Sequence, residues 1–539
     1  MPLLTSLLLG AGLLATPSGP FRDTYPRQPG VDLEHYRFAL TLTDSSDAIR
    51  GEATVSIRFT KGGLREFFLD LATPNGAKGM TVTAVSSDSA PLRFRHAGNR
   101  LHITLAASTT AGVLQRVTIA YHGIPAGGLS IGLNRYKERA FFSWNWPDKA
   151  REWLPMIDHP SDKATSEFVI TAPDHYMVVA NGLLQSERSS GDGRKTTHWK
   201  QSVPIASWLN AIGVARFGVH YAGRVRGVEL QTWVPHQDLE RGIAAFEAPS
   251  RKALEFFSDR IGPYSYEKLA NVSAAFGGGG TEHASVIFYG ESILDRNATG
   301  IVAHEIAHQW FGDAVTEGDW DDAWLSEGFA TYFTLLYTEH YDGRDAFVTG
   351  LQRARVTALA AEKRLNTPVV HNNISDLTNV IPNLVYQKGA WVLHMLRGQI
   401  GTDNFWKGIR AYYHAHRDGN ASTDDLRRAM EEASGQELHW FFDQWLHRNL
   451  SPVVTATWRY DASAGQVVID MAQTQAGEPY RVRLEVGIVA DSGGAPRVTT
   501  VEMTQATQRF MIPATSAPRD LLLDPNTWLL LDSPRVVRQ

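Results

Sequence analysis

The sequence predicts a multidomain α+β fold, and three observations carry that expectation. The chain has 539 residues, too many for a single hydrophobic core. Apolar residues alternate in short runs up to about Val234 and again after Pro452, the pattern of half-buried strands. Between these stretches, from about Leu239 onward, they recur at three- and four-residue spacing, the pattern of helices packed on a core.

Composition narrows the function classes. Apolar residues make up 43% and charged residues 20%, ordinary for a globular protein. A formal net charge of −5 with no long basic run argues against a nucleic-acid partner. With no cysteine, disulfides, thiolate metal sites and thiol nucleophiles are all excluded. The run from Leu3 to about Ala15, with small residues after it, reads as a signal peptide over residues 1–18 and implies export to a periplasm or beyond. It is short for a membrane span, and no later segment is apolar and long enough, so stable membrane insertion is not expected.

Along the first region, HYRFALTLT, EATVSIRFT, LREFFLDL, RLHITLA and QRVTIAYHG read as strands of a twisted antiparallel domain, with turn residues between them. One loop stands out, residues 141–165, where Trp144, Trp146 and Trp153 cluster. Packing beneath the loop is the ordinary role for such residues. AAFEAPSRKALEFFSDRIG then reads as a helix, and KLANVSAAF as a short strand. The glycine run that follows, FGGGGTEH, is not a phosphate loop, because no Gly-Lys-Ser/Thr follows it. Its glycines permit close approach of an extended backbone.

Asn297, Ala298 and Thr299 offer capping chemistry for the next helix, IVAHEIAHQWFG. His304 and His308, four positions apart, share one helix face, and Glu305 projects about 100° further round. This is the H-E-x-x-H arrangement of zinc hydrolases, and it leaves the ion one protein ligand short. Glu327, nineteen residues beyond His308 in the apolar helix AWLSEGFATYFTLLYTEHY, is the best candidate for the third. FVTGLQRARVTALAAEKR is the next helix, followed by a loop and by a helix beginning NLVYQKGAWVLH, which carries Tyr386. Three shorter helices complete the middle of the chain, and six runs after Pro452 suggest a small β-sandwich.

H-E-x-x-H, then WFGD, then SEGFA with eighteen residues between the second histidine and its glutamate, resembles the M1 aminopeptidases, or gluzincins. In the loop 141–165, Pro147, Ala150, Arg151, Pro155, Asp158, Pro160 and Lys163 match a family segment. Trp144 stands where Gln is usual, and Trp146 where Glu or Gln is usual. Gly279, Gly280, Thr281, Glu282 and His283 occupy the positions of the family's G-A-M-E-N, with His283 in place of Asn, either as a bystander or as a pH-sensitive group near the amine. Tyr386 matches the tyrosine of Y-x-K-G.

The resemblance implies an N-terminal β saddle over residues 19–222, a thermolysin-like, mainly helical catalytic domain over 223–451 and a C-terminal β-sandwich over 452–539. It also implies a short form without the helical domain that follows in longer members. One zinc ion per chain would be held by His304, His308 and Glu327, with Glu305 as general base and Tyr386 stabilising the oxyanion. Glu282 would bind the α-ammonium of peptides with a free N-terminus, with Gly279, Gly280, Trp144 and Trp146 shaping the substrate site. A thermolysin-type endopeptidase shares the metal motif, and a non-catalytic scaffold would keep only the shape. Epoxide hydrolysis, known in one branch of the family, leaves the motifs unchanged.

Overall fold

The computed structural model describes residues 23–539 apart from 89, 372, 373, 375, 378, 379 and 381; the expected signal peptide lies outside them. The first part is β-rich, as the alternation predicts. Its largest sheet has eight strands, in the order Leu183–Ser189, Arg194–Ile205, Ala164–Pro173, Val31–Thr41, Ile49–Phe59, Leu114–Ile124, Gly79–Ser87 and Ala90–Pro91. In Val31–Thr41, Tyr36, Phe38 and Leu40 are buried while Arg37, Ala39 and Thr41 lie on the outer face. The sheet is mixed rather than antiparallel throughout, because Val31–Thr41 and Ala164–Pro173 run parallel, with His35 opposite Thr165. A parallel neighbour needs a long crossover, and the segment between the two strands supplies one. Two smaller sheets share the same core: Met177–Ala180, Ile212–Ala215, Arg139–Ser143 and Leu129–Leu133 form one, and Glu66–Asp70, Arg100–Thr104 and Arg93–Ala97 the other.

The expected domain break at residue 222 falls inside a strand. Phe217–Val225 pairs with Val228–Pro235, and both belong to a five-stranded sheet continued by Lys268–Ala274, Val286–Gly290 and Gly280–Thr281. One face of this sheet packs into the core shared by the N-terminal sheets, through Phe217, Trp233 and Val272, and the other into the helical core, through Leu230, Leu269 and Ile287. A strand's partner is invisible in its own sequence, and alternation alone could not fix this boundary. Gly280–Thr281 and Phe217–Val225 are the sheet's two edge strands, each paired on one side only.

Among the described residues, eight α-helices follow the predicted periodicity: α1 Leu239–Arg260, α2 Thr299–His308, α3 Trp324–Asp342, α4 Arg344–Leu365, α5 Gly389–Ile400, α6 Thr402–His416, α7 Thr423–Ser434 and α8 His439–Leu446. None of the described helices is long and apolar enough to cross a membrane. Beyond α8, Thr507–Pro513, Gln466–Gln473, Val454–Asp461 and Arg535–Arg538 form one sheet, and Arg497–Met503, Val482–Val489 and Asp520–Leu523 a second. The parallel pairing of Arg535–Arg538 with Val454–Asp461 is an addition to the expected sandwich. Buried residues of this sandwich and of the helices form one continuous core.

Candidate active site

The N-terminus of α2 is fixed by Asn297, whose side-chain oxygen accepts from the Thr299 N–H at 3.0 Å. One turn apart on that helix, the His304 and His308 Nε2 atoms come to 3.2 Å from each other. Glu327, in the first turn of α3, brings its Oε2 to 3.4 Å from His304 Nε2 and 3.2 Å from His308 Nε2. His308 Nδ1 lies 3.2 Å from the Phe311 carbonyl oxygen and 3.1 Å from Ser326 Oγ. A carbonyl only accepts, so Nδ1 carries the proton and the Nε2 lone pair faces Glu327. Gly312 keeps this support compact: at its φ of +114°, an added Cβ would meet Ser326 Oγ at 2.3 Å.

Three lone-pair atoms this close repel unless a cation lies among them. Tetrahedral ligands at zinc distances of about 2.0–2.1 Å are separated by about 3.3–3.4 Å, close to the separations found here. Glu327 Oε2 is also buried with no hydrogen-bond donor. Burial alone would raise the Glu327 pKa, but His308 and His304 outweigh it and hold the carboxylate ionised. Burial lowers the His308 pKa, yet Glu282 and Glu327 more than offset it, so the carboxylates around Nε2 favour a positive charge at this point, the charge that a bound metal ion brings. The donor set fits a zinc ion, with two imidazoles and one carboxylate converging.

Glu305 projects beside these donors. Burial, then the nearby Glu282 carboxylate, raises its pKa well above the usual range. Gly280 leaves room for it, since a Cβ there would sit 2.5 Å from the Glu305 carboxyl group. Glu282 is buried and reaches within 4.0 Å of His308 Nε2. Together, one ligand atom each from Glu282, Glu305 and His308 lie within 4.8 Å of one another.

Tyr386 departs from the expected helix. It lies in a π-helical turn, Leu384–Lys388, ahead of α5, a form that recurs at functional sites. Its hydroxyl donates to Glu327 Oε1 at 2.6 Å. Two glycines make this approach possible. A Cβ on Gly328 would meet the Gly389 Cα at 3.0 Å, and one on Gly389 would meet the Gly328 Cα at the same distance. Lys388 anchors the turn from behind through Glu362 at 2.7 Å and the carbonyls of Arg448 and Asn449.

The Peptidase family M1 domain model matches residues 245–445, and the Peptidase M1 N-terminal domain model matches residues 33–209. The chain belongs to peptidase family M1. It is similar to glutamyl aminopeptidase of Rattus norvegicus, 27% identical over 81% of this chain and 49% of the relative. It is also 27% identical to tricorn protease-interacting factor F2 of Thermoplasma acidophilum, over 79% of this chain and 54% of the relative. The chain thus spans about half the length of these curated relatives. The solved M1 zinc metallopeptidase of Deinococcus radiodurans superposes with a TM-score of 0.67 at 26% identity, covering 78% of this chain and 95% of that one.

The two family departures in the 141–165 loop take different places in this M1 chain. Trp144 is 47% exposed and lies against Phe276, 5.5 Å between ring centroids, where the glycine-rich segment begins. Trp146 is buried edge-on between Trp208 and Trp320, in a cluster that also holds Ala284 and Ile374. Trp153 is a packing residue whose Nε1–H donates to Asn145 at 2.9 Å. His283 is buried against Phe288, and burial pushes its pKa down to about 3, so it is neutral across the physiological range rather than pH-sensitive.

Sequence reasoning missed Gln309, the residue after the second M1 histidine. Its Nε2 donates to the Glu282 carbonyl at 3.0 Å and to Asp313 Oδ2 at 2.7 Å, while its Oε1 accepts from the Ser285 N–H at 2.8 Å and the Tyr264 hydroxyl at 3.0 Å. It ties α2 to the segment that carries Glu282. Adjacency to the H-E-x-x-H motif was the available signal, but apart from Asp313 the partners of this buried amide are distant in sequence.

Proposed function

We propose that this chain is a zinc aminopeptidase that removes the N-terminal residue of peptides. The observation that carries the reading is the buried Glu282 carboxylate, 4.0 Å from a metal-ligating nitrogen and next to an open strand edge. A carboxylate there recognises an ammonium group and fixes a chain end one residue from the reacting bond. An endopeptidase has no need of such a group.

When bound, zinc supplies a Lewis acid for the scissile carbonyl and lowers the pKa of water towards 7. The edge strand Gly280–Thr281 pairs with extended substrate backbone, and Glu282 holds the α-ammonium. Glu305 takes the proton of the attacking water and returns it to the leaving amine. The Tyr386 hydroxyl exchanges Glu327 Oε1 for the carbonyl oxygen as that oxygen gains charge. Trp144 forms an apolar wall beside the glycine strand, and Trp146 acts through packing. The leader-like first segment makes an exported enzyme the proposed setting.

Two variants follow from these roles. Tyr386→Phe is expected to lower kcat by about 10²–10³, as loss of an oxyanion donor does, with KM nearly unchanged; steady-state kinetics on an aminoacyl reporter checks it. Glu282→Gln removes the charge that faces the ammonium and is expected to lower kcat/KM for free aminoacyl substrates by about tenfold or more, since a charge-assisted hydrogen bond contributes about 1.5–3 kcal/mol. Unchanged cleavage of those substrates by the Gln variant would refute the anchor.

A further inference from the structure

We infer that Glu362 is a positioning residue that aims the Tyr386 hydroxyl; the inference rests on the oxyanion role proposed above for Tyr386. Glu362 lies in the last turn of α4 and meets the π-helical turn Leu384–Lys388 from behind. Its Oε1 accepts from Lys388 Nζ at 2.7 Å and from Ser451 Oγ at 2.8 Å, and its Oε2 accepts from the Ser451 N–H at 3.1 Å. Lys388 Nζ also donates to the carbonyls of Arg448 and Asn449, at 3.2 and 3.1 Å. Three parts of the chain are therefore pinned at one point: α4, the turn that carries Tyr386, and the link from α8 to the C-terminal sandwich.

Two observations set this cluster apart from ordinary packing. Glu362 and Lys388 are both buried. Taking two charges out of water is costly, and such a pair is a poor source of net stability. What a fully bonded buried pair does supply is a fixed geometry. Second, the pair closes the one π-helical turn among the described residues. There the Gly389 N–H donates to the carbonyls of both Leu384 and Tyr386, so Tyr386 and Lys388 belong to one hydrogen-bonded unit. At the front of that unit the Tyr386 hydroxyl reaches Glu327, and at the back Lys388 reaches Glu362. A π-turn accommodates an extra residue in a helix, so relaxing it to α-helical winding swings the Tyr386 side chain about the axis. The hydroxyl then misses the developing oxyanion, and the effect falls on the transition state rather than on substrate binding.

A double-mutant cycle between Glu362→Gln and Tyr386→Phe, run on the zinc-loaded full chain with an aminoacyl reporter, tests the inference. Glu362→Gln alone is expected to lower kcat by about tenfold to a hundredfold, the cost of misplacing a reacting group by about 1 Å, with KM within about twofold of wild type. Zinc content should not change. In the Tyr386→Phe background the same substitution should lower kcat no further, because the hydroxyl it aims is already gone. Glu362→Asp keeps the charge and draws the carboxylate back by one methylene. It should show a smaller fall with the same pattern, and it carries the cycle should the Gln variant fold poorly. An equal fall in both backgrounds would overturn the inference, as would a lowered unfolding midpoint with kcat unchanged. Wild-type turnover in Tyr386→Phe alone would remove the oxyanion role and this inference with it. Lost turnover there, with additive effects in the cycle, would remove only the part assigned to Glu362.

Discussion

Replacing Glu305 by Gln is expected to lower kcat by a factor of about 10²–10⁴, the range associated with loss of a positioned proton-transfer group. The amide is nearly isosteric, so it fits the space that Gly280 leaves and keeps the packing of α2. It cannot accept a proton. Burial, with the Glu282 carboxylate adding to it, raises the carboxyl pKa and so gives the native side chain a higher proton affinity than an exposed glutamate has. Zinc content and the unfolding midpoint should stay at wild-type values, because Glu305 is not among the three converging donors. Turnover within tenfold of wild type, with zinc bound, would show that another group is the base.

Glu327→Ala is expected to be as damaging for a different reason: it removes the ligand rather than the base. Glu327 is the only donor of the three that α2 does not provide, so its loss leaves two imidazoles with no counter-charge from α3. It also removes the acceptor of the Tyr386 hydroxyl. Zinc bound to the native fold stabilises it by about 2.7 kcal/mol when free metal exceeds the dissociation constant a hundredfold. In the wild type, chelation should therefore lower the unfolding midpoint and abolish turnover, and added zinc should restore both. In Glu327→Ala, added zinc at the same concentration should shift the midpoint little or not at all. A zinc-dependent shift of wild-type size in that variant would remove Glu327 from the ligand set.

Elements and site chemistry were legible in the sequence to different degrees, for physical reasons. Long apolar runs found α2 and α3, which are buried nearly all round (Trp324 to Ala330 without a break), and the spacing of His304, His308 and Glu327 then left little freedom in where the ligands meet. The π-helical turn under Tyr386 was not legible, since Leu384–Lys388 has the same apolar pattern as the α-helix it leads into. Nor was the reason for Gly328 and Gly389, which matter only to each other, across sixty-one positions of sequence. Strand pairing was the other hidden quantity: alternation marks which face is buried, but neither the parallel pairing of Val31–Thr41 nor the sheet that claims Phe217–Val225. Trp146 shows the limit of motif reasoning, because its substitution at a family contact position is absorbed by Trp208 and Trp320.

A matched pair of reporters, one aminoacyl amide with a free amine and the same compound N-acetylated, tests the central claim most directly. Glu282, fixed beside the metal donors, requires that the free compound be cleaved and the acetylated one resist. Equal cleavage of the two would mean that no chain end is being recognised, and the site would then belong to an endopeptidase.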